Sequence, residues 1–377
     1  MKYKVMSLLF ALLIIGGFVL HLAVPDKAIS YEERRSLVQF PKPSVSTVFD
    51  GSWMKNFDKY AADQFVGRKY FRGLKNGTEL FVFGKQDVHD IYLKDGALYA
   101  NAKPSDKGVR QFAAKLASLT AEMPETMSVY YSIIPDKSTL IDAKNHPVYD
   151  TEAVYEALHS AFEEVGQLSG TPLENGGVKA IYLEDLLQCE DFYKTDIHWR
   201  QEKLWPVVSH MAQTMGFAKE ADVNALEKNL ATKQYAPFYG AYYGQFALPI
   251  KADTLNYLVG SYLEAVTVTD LATGKTFPLY SEDRLGGVDS YDVFVGGALP
   301  CVALENPKST SDKELIIFRD SYGSAIAPLL APFYRKITMI DLRYMPSSMI
   351  GDFVIYDNQQ VLFLYSAMLA NQVGVLK

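Results

Sequence analysis

Two short stretches hold the side chains of a nucleophilic site. Thr195-Asp196-Ile197-His198-Trp199 sets a carboxylate and an imidazole two residues apart. Ile316-Ile317-Phe318-Arg319-Asp320-Ser321-Tyr322-Gly323 sets a serine just past an apolar run. A serine hydroxyl is a weak nucleophile near neutral pH and needs a base to take its proton. An imidazole, with an ordinary pKa of about 6.5, suits that role. A carboxylate on the second ring nitrogen fixes the tautomer. Asp196, His198 and Ser321 are therefore candidates for orienting acid, base and nucleophile, in a chain order that such triads are free to adopt. The same residues have plainer uses, since Asp196 and Ser321 are both good helix caps and the two short motifs arise often by chance.

The elements around them decide what these residues can do. Residues 314–318 read as a buried strand and 322–330 as a helix, so Ser321 stands at a strand-to-helix turn. Backbone N–H groups at such a turn, that of Tyr322 among them, can hold an oxyanion. Helical periodicity covers 56–83, 106–121, 150–166 and 201–216. Strands are expected at 128–134 (ended by Pro135), 178–183, 337–340 and 360–365. This alternation predicts an α/β domain with a parallel sheet, its reacting residues at strand ends. Residues 218–300 are less regular and read as an insertion with β character. Trp199 can pack the imidazole or line an acceptor site, or be a plain core residue. Arg319 can bind an anionic substrate or pair with Asp320, and Tyr322 can shape an acyl pocket. His89, His146, His159 and His210 share no spacing and read as surface or structural residues.

From Ser36 onward a series of ordered motifs resembles the bacterial DHHW proteins, relatives of the alginate O-acetyltransferase family. Asp58-Lys59-Tyr60 with Asp63-Gln64-Phe65-Val66-Gly67-Arg68, then Tyr92-Leu93-Lys94-Asp95-Gly96-Ala97-Leu98-Tyr99, resemble its N-terminal blocks. Ile134-Pro135-Asp136-Lys137 is similar to its strand-end motif, and Lys194-Thr195-Asp196-Ile197-His198-Trp199 to the motif that names it. Phe238-Tyr239-Gly240-Ala241-Tyr242-Tyr243, Phe294-Val295-Gly296-Gly297, Arg319-Asp320-Ser321-Tyr322 and Ile340-Asp341-Leu342-Arg343-Tyr344 follow in order. The resemblance implies an SGNH-hydrolase-like three-layer fold with a permuted order of motifs. It implies O-acetyl transfer to a cell-surface or secreted polysaccharide through Ser321, His198 and Asp196. It also implies a membrane-bound acyltransferase as the acetyl donor. Tyr322, Gly297, Trp199 and Arg319 are its candidates for the oxyanion and substrate contacts. The first motif histidine is Ile197 here, which leaves no two-histidine metal site, and no metal or other cofactor is expected. Where the family pattern continues past Gly297 with Asn, this chain has Ala298, which implies one oxyanion donor fewer; one such donor is worth roughly 100- to 1000-fold in turnover.

The 377 residues carry 49% hydrophobic and 21% charged side chains, enough apolar content for a large core. The formal charge is −7 with no basic stripe, so nucleic acid is not an expected partner. The 25 Tyr and 21 Phe can stack on sugar faces or pack the sheet. Cys189 and Cys301 have no metal-ligand spacing, and a disulfide and two free buried thiols both stay open. Lys2 and Lys4 precede an apolar run over 5–24, long enough at about 1.5 Å per residue to span a bilayer with a cytoplasmic N-terminus. The expected layout is a signal anchor over 1–25, a linker over 26–43 and an extracellular catalytic domain over 44–377. An esterase with the same triad, or a non-catalytic carbohydrate-binding or assembly protein, is the alternative to the transferase. Pro25-Asp26-Lys27-Ala28 is a poor cleavage site, which favours an uncleaved anchor. N-terminal sequencing of the native protein is expected to find residues 1–25 still attached; a start near Ser30 overturns this.

Overall fold

The computed structural model describes residues 2–143, 145–166, 177–309 and 311–377. Two compact units form. Met1–Tyr92 with Ala241–Ile250 makes the first, and Leu93–Gly240 with Lys251–Lys377 the second.

In the first unit, helix α1 (Lys2–Ala23) is 22 residues long. It is the one helix among the described residues long and apolar enough to cross a membrane, and fits a single-pass anchor or a signal sequence. Helix α2 (Ser52–Gln64) and helix α3 (Arg68–Gly77) split the helical stretch expected over 56–83. The break falls at Gly67, whose φ of 79° suits a residue without Cβ. A short π-helical turn over Thr78–Val82 continues α3. The segment read as a linker is tied down: Arg35 forks onto Asp63 at 2.8 and 2.5 Å.

The second unit is built on an eight-stranded sheet. In chain order its strands are β1 (Ser128–Ile134), β2 (Gly177–Ala180), β3 (Thr267–Asp270), β4 (Thr276–Pro278), β5 (Cys301–Glu305), β6 (Glu314–Arg319), β7 (Lys336–Ile340) and β8 (Gln360–Ser366). Their spatial order is β4-β3-β5-β7-β6-β8-β1-β2. The run from β7 to β2 is parallel. The run from β4 through β5 to β7 is antiparallel. The sheet expected to be parallel is thus a mostly parallel, mixed one. The antiparallel part spans 267–305: β3 and β4 pair across a tight turn with Gly274 at φ 71°, and β5, just past the 218–300 stretch, pairs antiparallel with both β3 and β7.

Strands of the parallel half are apolar almost throughout because both faces are covered. Leu315 and Ile317 of β6 point into one core, Ile316 and Phe318 into the other. Helices α4 (Asp106–Thr120) and α5 (Thr151–Glu164) cover the face with Phe318. Helix α6 (Trp205–Met215) and helix α7 (Gly323–Leu330) cover the face with Ile317. Helix, sheet and helix make three layers. Asp150 caps α5 by accepting from the Ala153 N–H at 3.0 Å, and Gly216 ends α6 at φ 67°.

Strand β6 lies between β7 and β8, both of which follow it in sequence. The chain leaves β6 to one side and later returns to its other side. Crevices open at the C-terminal ends of strands at such reversals, and Ser321 stands two residues past the end of β6. The centre of the sheet is dense, with Phe318 and Phe363 stacked at 4.8 Å and both fully buried. Phe363→Ala is expected to cost about 3–5 kcal/mol, read as a loss of unfolding free energy in a urea titration.

Candidate active site

Residues 192–199 form a loop closed by an isolated bridge between Phe192 and Trp199. The loop presents its backbone inward and is held from several sides. Asp253 accepts from the Lys194 N–H at 3.0 Å and from the Thr195 N–H and hydroxyl at 2.8 and 2.6 Å. The buried Lys137 ammonium donates to the carbonyls of Tyr193 and Asp196, both at 2.7 Å. Gly240 lies so close to Asp196 that an added Cβ would sit 2.2 Å from the Asp196 Cβ.

Within this frame Asp196 Oδ1 accepts from the His198 backbone N–H at 3.0 Å and lies 2.5 Å from His198 Nδ1. The carboxylate is fully buried and the imidazole nearly so. A proton on Nδ1 satisfies the carboxylate, which leaves the Nε2 lone pair for Ser321 Oγ, 2.7 Å away. The three side chains therefore meet across 123 residues of sequence. The arrangement lets the serine pass its proton to an imidazole whose cationic form is stabilised by a buried carboxylate.

The serine turn is held by its neighbour. Asp320 Oδ1 accepts from the Tyr322 N–H at 3.0 Å, and Oδ2 accepts from the Ser366 N–H and hydroxyl at 2.9 and 2.7 Å. Two further bonds tie the turn to the histidine loop. Trp199 Nε1 donates to the Tyr322 carbonyl at 3.0 Å, and the Tyr322 hydroxyl donates to the Ile197 carbonyl at 2.8 Å. Trp199 is wholly buried and packs edge-on against Tyr322, which sets it as a support and removes it as an acceptor contact.

Three sequence-level assignments change. Arg319 does not pair with the Asp320 carboxylate. It lies 3.6 Å from Asp341, donates to the Asp320 and Gly297 carbonyls, and is 1% exposed, so it cannot reach a substrate. Burial lowers its pKa from the ordinary value. The Tyr322 N–H, offered for an oxyanion, is taken by Asp320. The Gly297 N–H is likewise taken, by the Phe294 carbonyl at 3.0 Å. The Ser321 N–H has no partner among the described residues and is the amide left open beside Oγ. Both cysteines are free thiols, Cys301 buried with its pKa pushed up to about 12 by burial.

Sequence reasoning missed Tyr291. Its ring stacks on His198 at 3.9 Å and 9°, and burial raises its phenol pKa well above the ordinary value. It stands in the irregular 218–300 stretch, three residues before the Phe294-Val295-Gly296-Gly297 motif, and no residue type or spacing there points to the imidazole. Lys137 belongs to the Ile134-Pro135-Asp136-Lys137 motif, but its role depends on carbonyls far away in sequence.

No family model matches this sequence, and no curated protein matches it either. The geometry defines an α/β protein with a Ser-His-Asp arrangement at the C-terminal edge of a mostly parallel sheet. Among solved structures, a DHHW family protein from Eubacterium siraeum is 16% identical, with a TM-score of 0.56 over 76% of this chain and 96% of that one. PatB1 of Bacillus cereus is 18% identical, with a TM-score of 0.54 over 75% of this chain and 97% of its own. PatB1 with a sulfonyl adduct aligns at the same TM-score and identity. The shared property is the fold, and the neighbours include a protein of the family that the motifs resemble.

Burial pushes the Lys137 pKa down to about 8 from the ordinary 10.5, against the pull of Asp136 and Asp196. The unfolded lysine keeps its proton up to the higher value. Between these two values the unfolded state binds more protons, so stability rises with pH. Urea unfolding in detergent is expected to gain about 1.4 kcal/mol per pH unit from pH 8 to 10. Lys137→Met is expected to flatten that slope.

Proposed function

We propose that the protein is a membrane-anchored, extracellular O-acyltransferase that moves an acetyl group onto a hydroxyl of a cell-surface or secreted polysaccharide. The observation that carries this is the hydrogen-bonded series from Asp196 Oδ1 to His198 Nδ1 and from His198 Nε2 to Ser321 Oγ, at 2.5 and 2.7 Å. Ser321 Oγ attacks the carbonyl carbon of the acyl donor while His198 Nε2 takes the hydroxyl proton. The carbonyl oxygen becomes an oxyanion beside the open Ser321 N–H. The tetrahedral intermediate collapses, the donor's oxygen leaves with the proton from His198, and Ser321 carries the acetyl ester. The acceptor hydroxyl then gives its proton to His198 and attacks the ester, which restores Ser321. Asp196 holds the imidazole in one tautomer and stabilises its cation without reacting.

The membrane and extracellular parts of this reading rest on α1 and its basic flank, with the chain beyond α1 placed outside the cell. The SGNH-like descent, the permuted motif order and a membrane-bound acyltransferase donor follow from the resemblance. The sulfonyl adduct on PatB1 is consistent with an activated nucleophile in this fold, and the same reactivity is assigned here to Ser321.

A sulfonyl fluoride is expected to modify the wild-type protein on Ser321, mapped by peptide mass spectrometry. Incubation with an activated acetyl ester and an oligosaccharide should yield acetylated sugar in excess of free acetate. Ser321→Ala and His198→Ala are each expected to lower transfer by roughly 10⁴-fold or more with folding intact, and the double variant by little beyond that. Asp196→Ala should cost less. Full transfer by Ser321→Ala, or an adduct on another serine, overturns the assignment.

A further inference from the structure

The first unit exposes an apolar face that its own packing does not explain. Helix α3 turns one side to residues 241–250. Arg72 donates to the Gly244 carbonyl at 2.8 Å, Asn76 to the Phe246 carbonyl at 2.8 Å, and a Cβ on Gly73 would come within 2.9 Å of the Ala247 carbonyl. The other side carries Tyr70, Phe71 and Leu74, which are 77%, 58% and 68% exposed. The π-helical continuation and the residue after it add Phe81, Val82 and Phe83, each more than 70% exposed. Soluble surfaces rarely gather this many large apolar side chains on one short segment.

The neighbouring contacts say what covers it. The residues that follow α1 are stitched to α2 and α3. The Lys27 N–H donates to Gln64 Oε1 at 2.9 Å, and Gln64 Nε2 donates back to the Lys27 carbonyl at 2.9 Å. His21, near the end of α1, meets the Tyr60 ring at 6.4 Å, and the Tyr60 hydroxyl donates to Asp26. Glu33 pairs with Arg68 and, at 3.1 Å, with Arg72 of α3. These ties hold α2 and α3 at the end of the apolar α1 helix. The exposed face is aromatic and aliphatic, and it is flanked by Lys69, Lys75 and Lys85, each more than half exposed and each beside a carboxylate, Glu32 for the first and Glu79 for the other two, with stems long enough to carry these charges to headgroup level. This is the composition of a helix lying in a membrane interface, with aromatic rings at headgroup level.

We infer that α3 and the turn over Thr78–Val82 lie on the lipid surface, with Phe71, Leu74 and Phe81 inserted among the acyl-chain ends next to α1. The inference rests on the anchoring reading of α1. A single span leaves the protein free to tilt and rotate about its axis. A second apolar contact beside it fixes the orientation of the first unit on the membrane plane.

The test uses the full chain reconstituted into vesicles of phosphatidylcholine and phosphatidylglycerol. A benzophenone amino acid is placed singly at Leu12, Phe71 or Phe81, irradiated, and the products are read by mass spectrometry. Phospholipid adducts are expected at all three positions. Adducts at Leu12 with none at Phe71 or Phe81 overturn the inference and leave the anchor standing. Adducts at Phe81 with none at Leu12 uphold the surface contact and overturn the anchor. Adducts at Phe71 and Phe81 to a second copy of the chain, in place of lipid, assign the face to self-association and overturn the inference. Absence of adducts at every position overturns both readings.

Discussion

The buried carboxylate of Asp320 is the interaction on which the site depends. Past the end of β6 the chain must stop pairing, turn, and begin α7 within three residues. Backbone amides freed at such a turn are costly if left without partners inside the protein. Asp320 takes up the Tyr322 N–H with one oxygen and Ser366, the last residue of β8, with the other. That fixes the exit of β6 against the exit of β8, two strands side by side in the sheet. Ser321 is left with its hydroxyl toward His198 and its own amide open. The same clamp explains why Tyr322 contributes no oxyanion donor: its N–H is part of what holds the nucleophile still.

The histidine loop is a second solution to the same problem. Asp196 is a charge removed from water, an expense that only dense hydrogen bonding offsets. The loop meets it with the His198 N–H and imidazole, and it holds its carbonyls on the Lys137 ammonium. Lys137 is itself buried, and that burial lowers its pKa. Tyr291 stacked on the imidazole closes the last side, so His198 has little freedom to turn. A base that need not reorganise when it takes a proton is what the proposed transfer chemistry requires.

Much of this architecture is legible in the chain itself. The strand at 128–134 can be read from a run rich in β-branched and aromatic residues, interrupted by Ser132 and ended by Pro135. The strand at 314–318 and the helix after it follow from a switch of period at Asp320-Ser321. Asp196, His198 and Ser321 are legible as a set because their residue types match three linked roles. The antiparallel β3, β4 and β5 are less legible, because strands of three to five residues carry a weak periodic signal and the partner of β5 on one side, β7, lies more than thirty residues on.

Local sequence determines local facts here: the apolar length of α1, the caps and stops of helices, the two-residue step that lets Asp196 bond both the N–H and the ring of His198. It also determines which residues have the acidity, basicity and nucleophilicity for the proposed reaction. Tertiary structure alone decides which of them meet. The carboxylate partner of Arg319 is that of Asp341, not that of its neighbour Asp320, because β6 and β7 lie side by side and Asp341 directly follows β7. Tyr291 lies against His198 because the path of 218–300 folds it there. Hydrogen bonds and stacking act over a few ångströms, whereas the residues they join stand tens to hundreds of positions apart, and only the packed chain sets that distance.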